Sequence, residues 1–466
     1  MLAPSKPSST DPAPGGYREL LRLALPLIIT NSFWTLQITI DRVLLGHYSS
    51  DAVGAAVAAV MLFWTPFALL QFTTAYAGTF VAQYLGAGRP RRVGTVVWQA
   101  LHFSLLGGLG FLLLVPLARP LAALAGHPPT VETLEATYFA CLCFAALPML
   151  VSAATCSFFI GRGDTWTVLV INTTGLGVNA VLAYAWIFGA WGFPAGGIAG
   201  AGWATVAGSS ASAILGLILF LRPRFRAEFH VPSGWRLDPA LFRRLLSFGL
   251  PSGVQVALDV LAFALFTVFV GQMGKAELTA SGVAFTLNVI AVLPVLGIGQ
   301  AVTVLVGRRL GEDRPDLAER STWTGFKVTW LYMAAMALLY VGLPDLLASF
   351  FRPGDPSASD DWRHVADLVP ILLRFVAVYS LFDGMNLVFS FALKGAGDTR
   401  FVTAVMLLLS WPMMVLPTWL AQRYSWGVLW AWAFASAYII AVALIFLARF
   451  RGGRWKTMRV IEPATP

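Results

Sequence analysis

Three aspartates, Asp41, Asp259 and Asp383, interrupt long apolar stretches of this 466-residue chain. A carboxylate in the hydrocarbon region of a bilayer costs about 2.5 kcal/mol or more, so an acid at that depth is by default a candidate functional group. Such a group can hold a proton, a metal ion or an organic cation. We therefore expect these three side chains to exchange cations inside a membrane.

Polar residues share the helical face of each aspartate, at spacings of three, four or seven. Thr30 and Gln37 belong to the face of Asp41, and Asn172 and Asn179 form a further stripe seven residues apart. Stripes of this kind suggest a wet cavity, although the asparagines could instead hydrogen-bond to neighbouring helices. The predicted cavity residues are Gln37, Asn172, Asn179, Gln255, Tyr379 and Asn386.

Structural roles remain open for the same acids. Asp41 lies near the predicted end of its helix and could be an interfacial acid, and Asp259 and Asp383 could belong to a buried structural pair. A sodium ion would need several oxygens at once. Asp259 and Asp383, with Gln255 and Asn386, could supply them if helices 7 and 10 face each other.

The elements that position these residues are membrane helices. The chain is 58% hydrophobic and 12% charged, with a mean hydropathy of +0.73, whereas soluble proteins are about 25% charged. Apolar runs of about 20 residues or more, each long enough to cross a bilayer, recur throughout. We predict an all-α membrane protein with twelve transmembrane helices, near residues 19–45, 52–84, 94–116, 131–160, 165–189, 195–221, 241–271, 278–307, 321–350, 366–393, 400–421 and 426–449.

Lysines and arginines cluster before helix 1, after helices 2, 6, 8 and 10, and after helix 12, and all these segments fall on one side of the membrane if there are twelve helices. Because such residues stay cytoplasmic, both termini are predicted to be cytoplasmic. This topology and anionic membrane lipids account for the net charge of +9, so we expect no nucleic-acid partner.

A spaced pattern, V-x3-L-G-x2-R-P, occurs at residues 81–90 and again at 306–315, 225 positions later. A second pattern, G-x-G-D-T, occurs at 161–165 and 395–399, where glycine permits a turn and Asp-Thr can cap the next helix. Each repeat holds six helices, which predicts two pseudo-symmetric lobes in a parallel repeat. The predicted units are a disordered tail 1–16, an N-lobe 17–221, a linker 222–240, a C-lobe 241–450 and a basic tail 451–466.

The sequence gives little support for a bound cofactor or for an enzyme. The three cysteines lie in or near helix 4, the five histidines are scattered without ligand spacing, and neither G-x-G pattern has a P-loop lysine. We therefore expect no zinc-type centre and no bound cofactor. A transporter without an ATP site must run on an ion gradient, with H+ or Na+ as the coupling ion.

An ordered set of motifs runs along residues 17–450. Its members are LP at 25–26, VAQYLGAG at 81–88, GRGDT at 161–165, Asn179 ahead of IFG at 187–189, GLP at 249–251 with Asp259 eight residues on, and KGAGDT at 394–399. With six plus six helices, this set resembles the multidrug and toxic compound extrusion (MATE) family.

The resemblance implies an efflux pump that exports organic, usually cationic, drugs in exchange for H+ or Na+. Its two lobes would rock between outward and inward openings, in a monomer in the bacterial inner membrane. Asp41, Asp259 and Asp383 would be the family's acids on helices 1, 7 and 10. One branch of the family couples through its first lobe with an acid four residues after Asn179, but here that position is Ala183, which favours the second-lobe pair.

Other functions stay open from the sequence. A flippase for lipid-linked oligosaccharides of the same superfamily shares the two lobes, but would need a cationic groove for its polyanionic cargo. A major-facilitator exporter normally has an acid in its helix 2–3 loop, and residues 86–92 contain none. A membrane enzyme would need clustered histidines or carboxylates at one membrane face, and a non-transporting receptor would not depend on a gradient.

Overall fold

The computed structural model describes residues 14–123, 126–352 and 359–463. Within them, twelve helices are long and apolar enough to cross a membrane, as predicted. We number them α1 to α12 in chain order: Tyr17–Tyr48, Ser50–Gly86, Pro90–Ala123, Pro129–Arg162, Thr165–Phe188, Gly197–Phe220, Pro239–Met273, Lys275–Gly311, Pro315–Gly342, Trp362–Ala396, Thr399–Arg423 and Val428–Arg451.

Proline determines where the ninth predicted helix stops short. The ninth was predicted to run to residue 350, but α9 ends at Gly342 and a separate short helix, Pro344–Ser349, follows. The residue before a proline is driven away from helical geometry, and Leu343 has φ −134° and ψ 44°. In α3, which runs to Ala123 and so past its predicted end at residue 116, a 3₁₀ turn that contains a proline separates the regular α-helix ending at Leu112 from a short helix starting at Ala118.

The helices form two six-helix lobes, as the repeat predicted. Helix α6 packs on α4 and α5 in the first lobe, and α10 packs on α8, α9 and α12 in the second. The lobes meet where α1 contacts α8 and where α2 contacts α7 and α8. The bounds proposed for the lobes and tails stay a prediction.

Glycines of the duplicated V-x3-L-G pattern allow α2 and α8 to cross closely. A Cβ atom at Gly86 would lie 2.0 Å from the carbonyl oxygen of Arg308, and one at Gly311 would lie 2.2 Å from that of Gln83. Gly86 and Gly311 are repeat equivalents, as are Gln83 and Arg308, so the crossing is pseudo-symmetric. Only glycine permits backbones to approach this closely.

The two G-x-G-D-T turns differ in what their aspartates do. Asp164 caps α5, because its carboxylate accepts from the Thr167 N–H at 3.4 Å and from the Thr167 hydroxyl at 2.9 Å. The expectation that Asp398 caps α11 in the same way is wrong. Asp398 instead pairs with Arg449 at the end of α12, at 2.7 Å, because the basic end of α12 packs beside this turn.

The linker between the lobes lies against α3 and α4. The Arg162 guanidinium sits among three phenylalanine rings, 4.4 Å from the Phe225 centroid and 5.2 Å from the Phe229 centroid. Asp238 caps α7, and the hydrogen bond from the Leu241 N–H holds the pKa of Asp238 below its usual range. The linker is therefore attached at both ends to lobe helices.

Candidate ion and ligand sites

Two carboxylates lie inside the second lobe, each held by an amide on its own helix. Asp259 on α7 accepts from the Gln255 amide at 3.1 Å, and Asp383 on α10 accepts from the Asn386 amide at 3.3 Å. These pairs are the four- and three-residue spacings noted in the sequence. Both aspartates are half-buried, whereas Gln255 and Asn386 are buried.

The amide oxygens of this group are available to a ligand. The carbonyl oxygens of Gln255 and Asn386 are buried and accept no hydrogen bond in the described part of the chain. Since each amide gives its N–H to a carboxylate, its oxygen is left as an acceptor. Two carboxylates and two amide oxygens are a donor set suited to a hard cation.

Two tyrosines of the second lobe lie near the carboxylates. Tyr438 of α12 lies within electrostatic reach of both Asp259 and Asp383, although α7 and α10 make little direct contact. Tyr379 lies near Asp383, is buried, and stacks on Trp432 with 6.4 Å between centroids. Tyr379 therefore belongs to the packed interior of this lobe and not to the open cavity described below.

A second polar group lies in the first lobe. Asp41 is 7% exposed, and one of its carboxylate oxygens has no hydrogen-bond partner in the described chain. Asn179 donates to the Thr205 hydroxyl at 3.4 Å and keeps its own carbonyl oxygen free. Tyr138 of α4 lies near both Asp41 and Thr205. Ala183, four residues after Asn179, is buried and contributes a methyl group instead of a carboxylate to this polar group.

A cavity of about 440 Å³ is lined mainly by first-lobe helices, α1, α2, α4, α5 and α6, and is bounded on the second-lobe side by α8 and Phe391. Of the predicted cavity residues, it includes Gln37 and Asn172 but none of the three aspartates. No lining residue from the described ranges carries a charge. Amides, hydroxyls and rings therefore form its wall, among them Asn31, Phe67, Gln71, Phe72, Ser209 and Gln300.

Three further amides that were not predicted from the sequence line this cavity. Gln300 of α8 donates to Asn31 of α1 at 3.5 Å, across the boundary between the lobes, and the Gln71 carbonyl oxygen is buried without a partner. Each is an amide within an apolar run, which is the signal that selected Asn172 and Asn179. Applied to every helix, that signal would have found all three.

From the sequence, Lys394 is one of the cations after helix 10 and the first residue of the KGAGDT motif, and no site role is predicted for it. In the described part of the chain it is the only buried basic side chain, and its ammonium group lies 5.5 Å from the Phe391 ring. It also interacts electrostatically with Asp259. Its position eleven residues after Asp383 puts both on one face of α10, a spacing that the sequence already contained.

Comparisons with known proteins agree with this architecture. The sequence model of the MatE family matches residues 26–185 and 251–420, two stretches that begin 225 positions apart. The chain is 29% identical to the multidrug resistance protein NorM of Burkholderia vietnamiensis over 92% of both proteins. It is 28% identical to a probable NorM of Mesorhizobium japonicum over 93% of both.

Solved structures share the fold. A MATE crystal structure in the bent conformation superposes with a TM-score of 0.85 at 18% identity, covering 95% of this chain and 97% of that one. A multidrug resistance MATE transporter of the MOP superfamily, solved in an outward-facing conformation, gives 0.83 at 19% identity, with 96% and 98% covered. Twelve spanning helices and the double match to one family lead to a single assignment: the chain is a multi-pass membrane protein of the MatE family, a family of transporters and not of enzymes.

Proposed function

We propose that this protein is a secondary active multidrug exporter, which exchanges organic, mainly cationic, compounds for H+ or Na+ by alternating access. The observation that carries the proposal is the separation of an uncharged cavity, lined mainly by first-lobe helices, from the carboxylate group of Asp259 and Asp383 in the second lobe. The names of its relatives support multidrug cargo. We further propose a monomer in a bacterial inner membrane, with both termini cytoplasmic.

The cavity suits chemically varied cargo. Aromatic rings offer stacking surfaces and attract cations through their faces, and amides both donate and accept hydrogen bonds. None of these contacts requires one fixed arrangement of charges. Lipophilic cations of different shapes can therefore use the same wall.

Ion binding and cargo movement would then be coupled indirectly, through the relative arrangement of the two lobes. The cavity wall contains neither Asp259 nor Asp383, so this scheme does not require ion and drug to compete for the same carboxylates. We propose that ion binding in the second lobe favours one arrangement of the lobes, and that this arrangement determines which side the cavity faces. One pH unit supplies about 1.4 kcal/mol per proton, and 100 mV supplies about 2.3 kcal/mol per net charge moved, which together could sustain a gradient of a neutral cargo of roughly several hundredfold.

The flippase alternative fits the cavity less well. Its cargo carries a polyanionic pyrophosphate, which would need cationic side chains in the central space. Among the residues described, the wall supplies no lysine or arginine. Drug export is therefore the better-supported function.

The test is efflux of a cationic dye from proteoliposomes under an imposed sodium gradient and, separately, a proton gradient. We expect one gradient to accelerate efflux and the other to have little effect, which would identify the coupling ion. Acceleration by neither gradient would refute coupled export.

Cargo affinity is expected to depend on the unpartnered amide of Gln71. Gln71→Ala should raise the KM for dye about three- to tenfold, since a hydrogen bond contributes about 0.5–1.5 kcal/mol. The dependence on the gradient should not change, because the carboxylate group is untouched. Initial efflux rates at varied dye concentration measure both quantities.

Gln272→Ala is the matched control, because this amide is exposed near the outer end of α7. We expect its KM to equal that of the wild type. An unchanged KM in Gln71→Ala would remove this side chain from cargo recognition.

A further inference from the structure

The duplicated V-x3-L-G-x2-R-P pattern is a sequence feature that transport chemistry does not use. Its two copies lie at the ends of α2 and α8 that the charge pattern places in the cytoplasm. In each copy, side chains reach out of their own lobe and bind a carboxylate supplied by the other. This reciprocal arrangement needs an explanation beyond the close packing of Gly86 and Gly311.

The first copy binds the segment that follows α12. The Tyr84 hydroxyl donates to the Glu462 carboxylate at 2.6 Å, and the Arg92 guanidinium donates to it at 3.1 Å. Arg89 donates to the Glu462 carbonyl oxygen at 2.9 Å. Burial alone raises the pKa of Glu462, but the Tyr84 hydrogen bond and Arg92 outweigh it and hold the pKa below its usual range. The carboxylate is therefore charged at neutral pH.

Gln83 adds two further bonds between the lobes. It is fully buried, its amide N–H donates to the Gly395 carbonyl at 3.0 Å, and its carbonyl oxygen accepts from the Val460 N–H at 2.8 Å. Tyr76, also on α2, donates to the Lys394 carbonyl at 2.6 Å. The end of α2 is thus bonded both to α10 and to the chain after α12.

The segment that carries Glu462 is anchored to the second lobe. Trp455 is buried and stacks on Phe450, with 4.7 Å between centroids. Lys456 pairs with Glu319 of α9 at 2.6 Å, within the same lobe. Glu462 therefore reaches the first lobe from a fixed base, and its bonds resist separation of the lobes.

The second copy makes the reciprocal contact. Arg309, the repeat equivalent of Tyr84, pairs with Glu19 at the start of α1 at 2.7 Å, and also with Glu312 at 2.8 Å. Arg309 and Glu19 are only 11% and 18% exposed, so solvent screens this pair less than a surface pair. Equivalent positions of the repeat thus each hold an acid from the opposite lobe.

We propose that the two copies of the pattern form a pair of latches that hold the cytoplasmic ends of the lobes together and must release before that side opens. A rotation that parts α2 from α8 separates Tyr84 from Glu462 and Arg309 from Glu19. Contacts that exist in only one of two conformations shift the equilibrium toward that conformation. The inference rests on the alternating access of the proposed function. It identifies contacts that favour the conformation closed on the cytoplasmic side.

The experiment measures the separation of the lobes directly. Spin labels at the exposed, repeat-equivalent positions Arg91 and Asp316, with the three native cysteines replaced, report the distance across the cytoplasmic side by double electron–electron resonance. We expect Glu462→Gln to lower the ratio of closed to open separations about tenfold, since hydrogen bonds to charged groups are the strong ones. Tyr84→Phe and Glu19→Gln should shift it in the same direction by about threefold.

Asp398→Asn is the matched control, since it breaks the Asp398–Arg449 ion pair, which lies on the same side of the protein but inside one lobe. It should leave the distance distribution unchanged. Identical distributions for Glu462→Gln, Tyr84→Phe and the wild type would overturn the proposal, as would an equal shift in the control. Tyr84→Phe removes a single hydroxyl, so it tests the latch even if the charge-neutralised variant folds poorly.

The measurement needs neither cargo nor a gradient, so it is independent of the transport assay. Unchanged distances together with coupled dye efflux would refute the latches but support the proposed export. Shifted distances in a protein that transports no dye would support the latches but refute the proposed cargo.

Discussion

Asp259→Asn is expected to abolish gradient-driven dye efflux while leaving dye binding within about twofold of the wild type. Asparagine has the shape of aspartate, so packing around Gln255 is kept. It can neither take up and release a proton nor supply a negative charge to sodium. Because the cavity wall does not contain this residue, cargo binding has no direct reason to change. Efflux from proteoliposomes and fluorescence polarisation of bound dye measure the two properties.

The companion change, Asp383→Asn, should give the same result, and the double variant should be no worse than either single variant. Residues that act as one unit show such non-additive losses. Asp345→Asn is the control, since this carboxylate is exposed on the short helix after α9, and it should transport normally. Full gradient-driven efflux in Asp259→Asn would remove this residue from coupling.

Gly86→Ala is expected to reduce efflux more than about tenfold by preventing closure of the cytoplasmic side. The added Cβ would lie 2.0 Å from the Arg308 carbonyl oxygen, which belongs to helix backbone and cannot rotate away as a side chain would. Overpacking of this kind costs about 1–3 kcal/mol, and parting the lobes is the available relief. Dye efflux and the label separation between positions 91 and 316 measure the effect.

The same substitution at Gly311 should act alike, because its Cβ would lie 2.2 Å from the Gln83 carbonyl oxygen. Gly177→Ala provides the control, since no heavy atom lies within 4 Å of a Cβ there. It should transport as the wild type does. Normal efflux in Gly86→Ala, with an unchanged label separation, would show that the α2–α8 crossing tolerates a wider spacing.

The repeat and the acids illustrate different kinds of sequence information. At the offset of 225, Asp41 aligns with Phe266 and Asp259 with Trp34, so the acids are not duplicated. The pattern around Gly86 and Gly311 is duplicated, and it forms the pseudo-symmetric crossing of α2 and α8. The copies agree where the lobes contact each other and differ where ions are expected to bind.

Contacts between residues far apart in the chain could not be predicted from the sequence. Gln83 bonds to Gly395, 312 positions away, and Tyr84 to Glu462, 378 positions away. Asp398 was expected to act as a cap because Asp-Thr after a glycine turn is a local signal. Its pairing with Arg449 depends instead on how α12 packs, which no local pattern contains.

The sequence by itself determined the twelve helices, their sorting into two lobes and the candidate acids, because apolar length, three- and four-residue spacing and the cost of a buried charge are local properties. Only the tertiary structure decided that the cavity lined mainly by first-lobe helices leaves out the three aspartates, and that Lys394 is buried and interacts electrostatically with Asp259. It also decided that Tyr84 binds Glu462 and that Arg309 binds Glu19 at the predicted cytoplasmic side. Those arrangements depend on how whole helices pack against each other, and many packings satisfy the same apolar pattern.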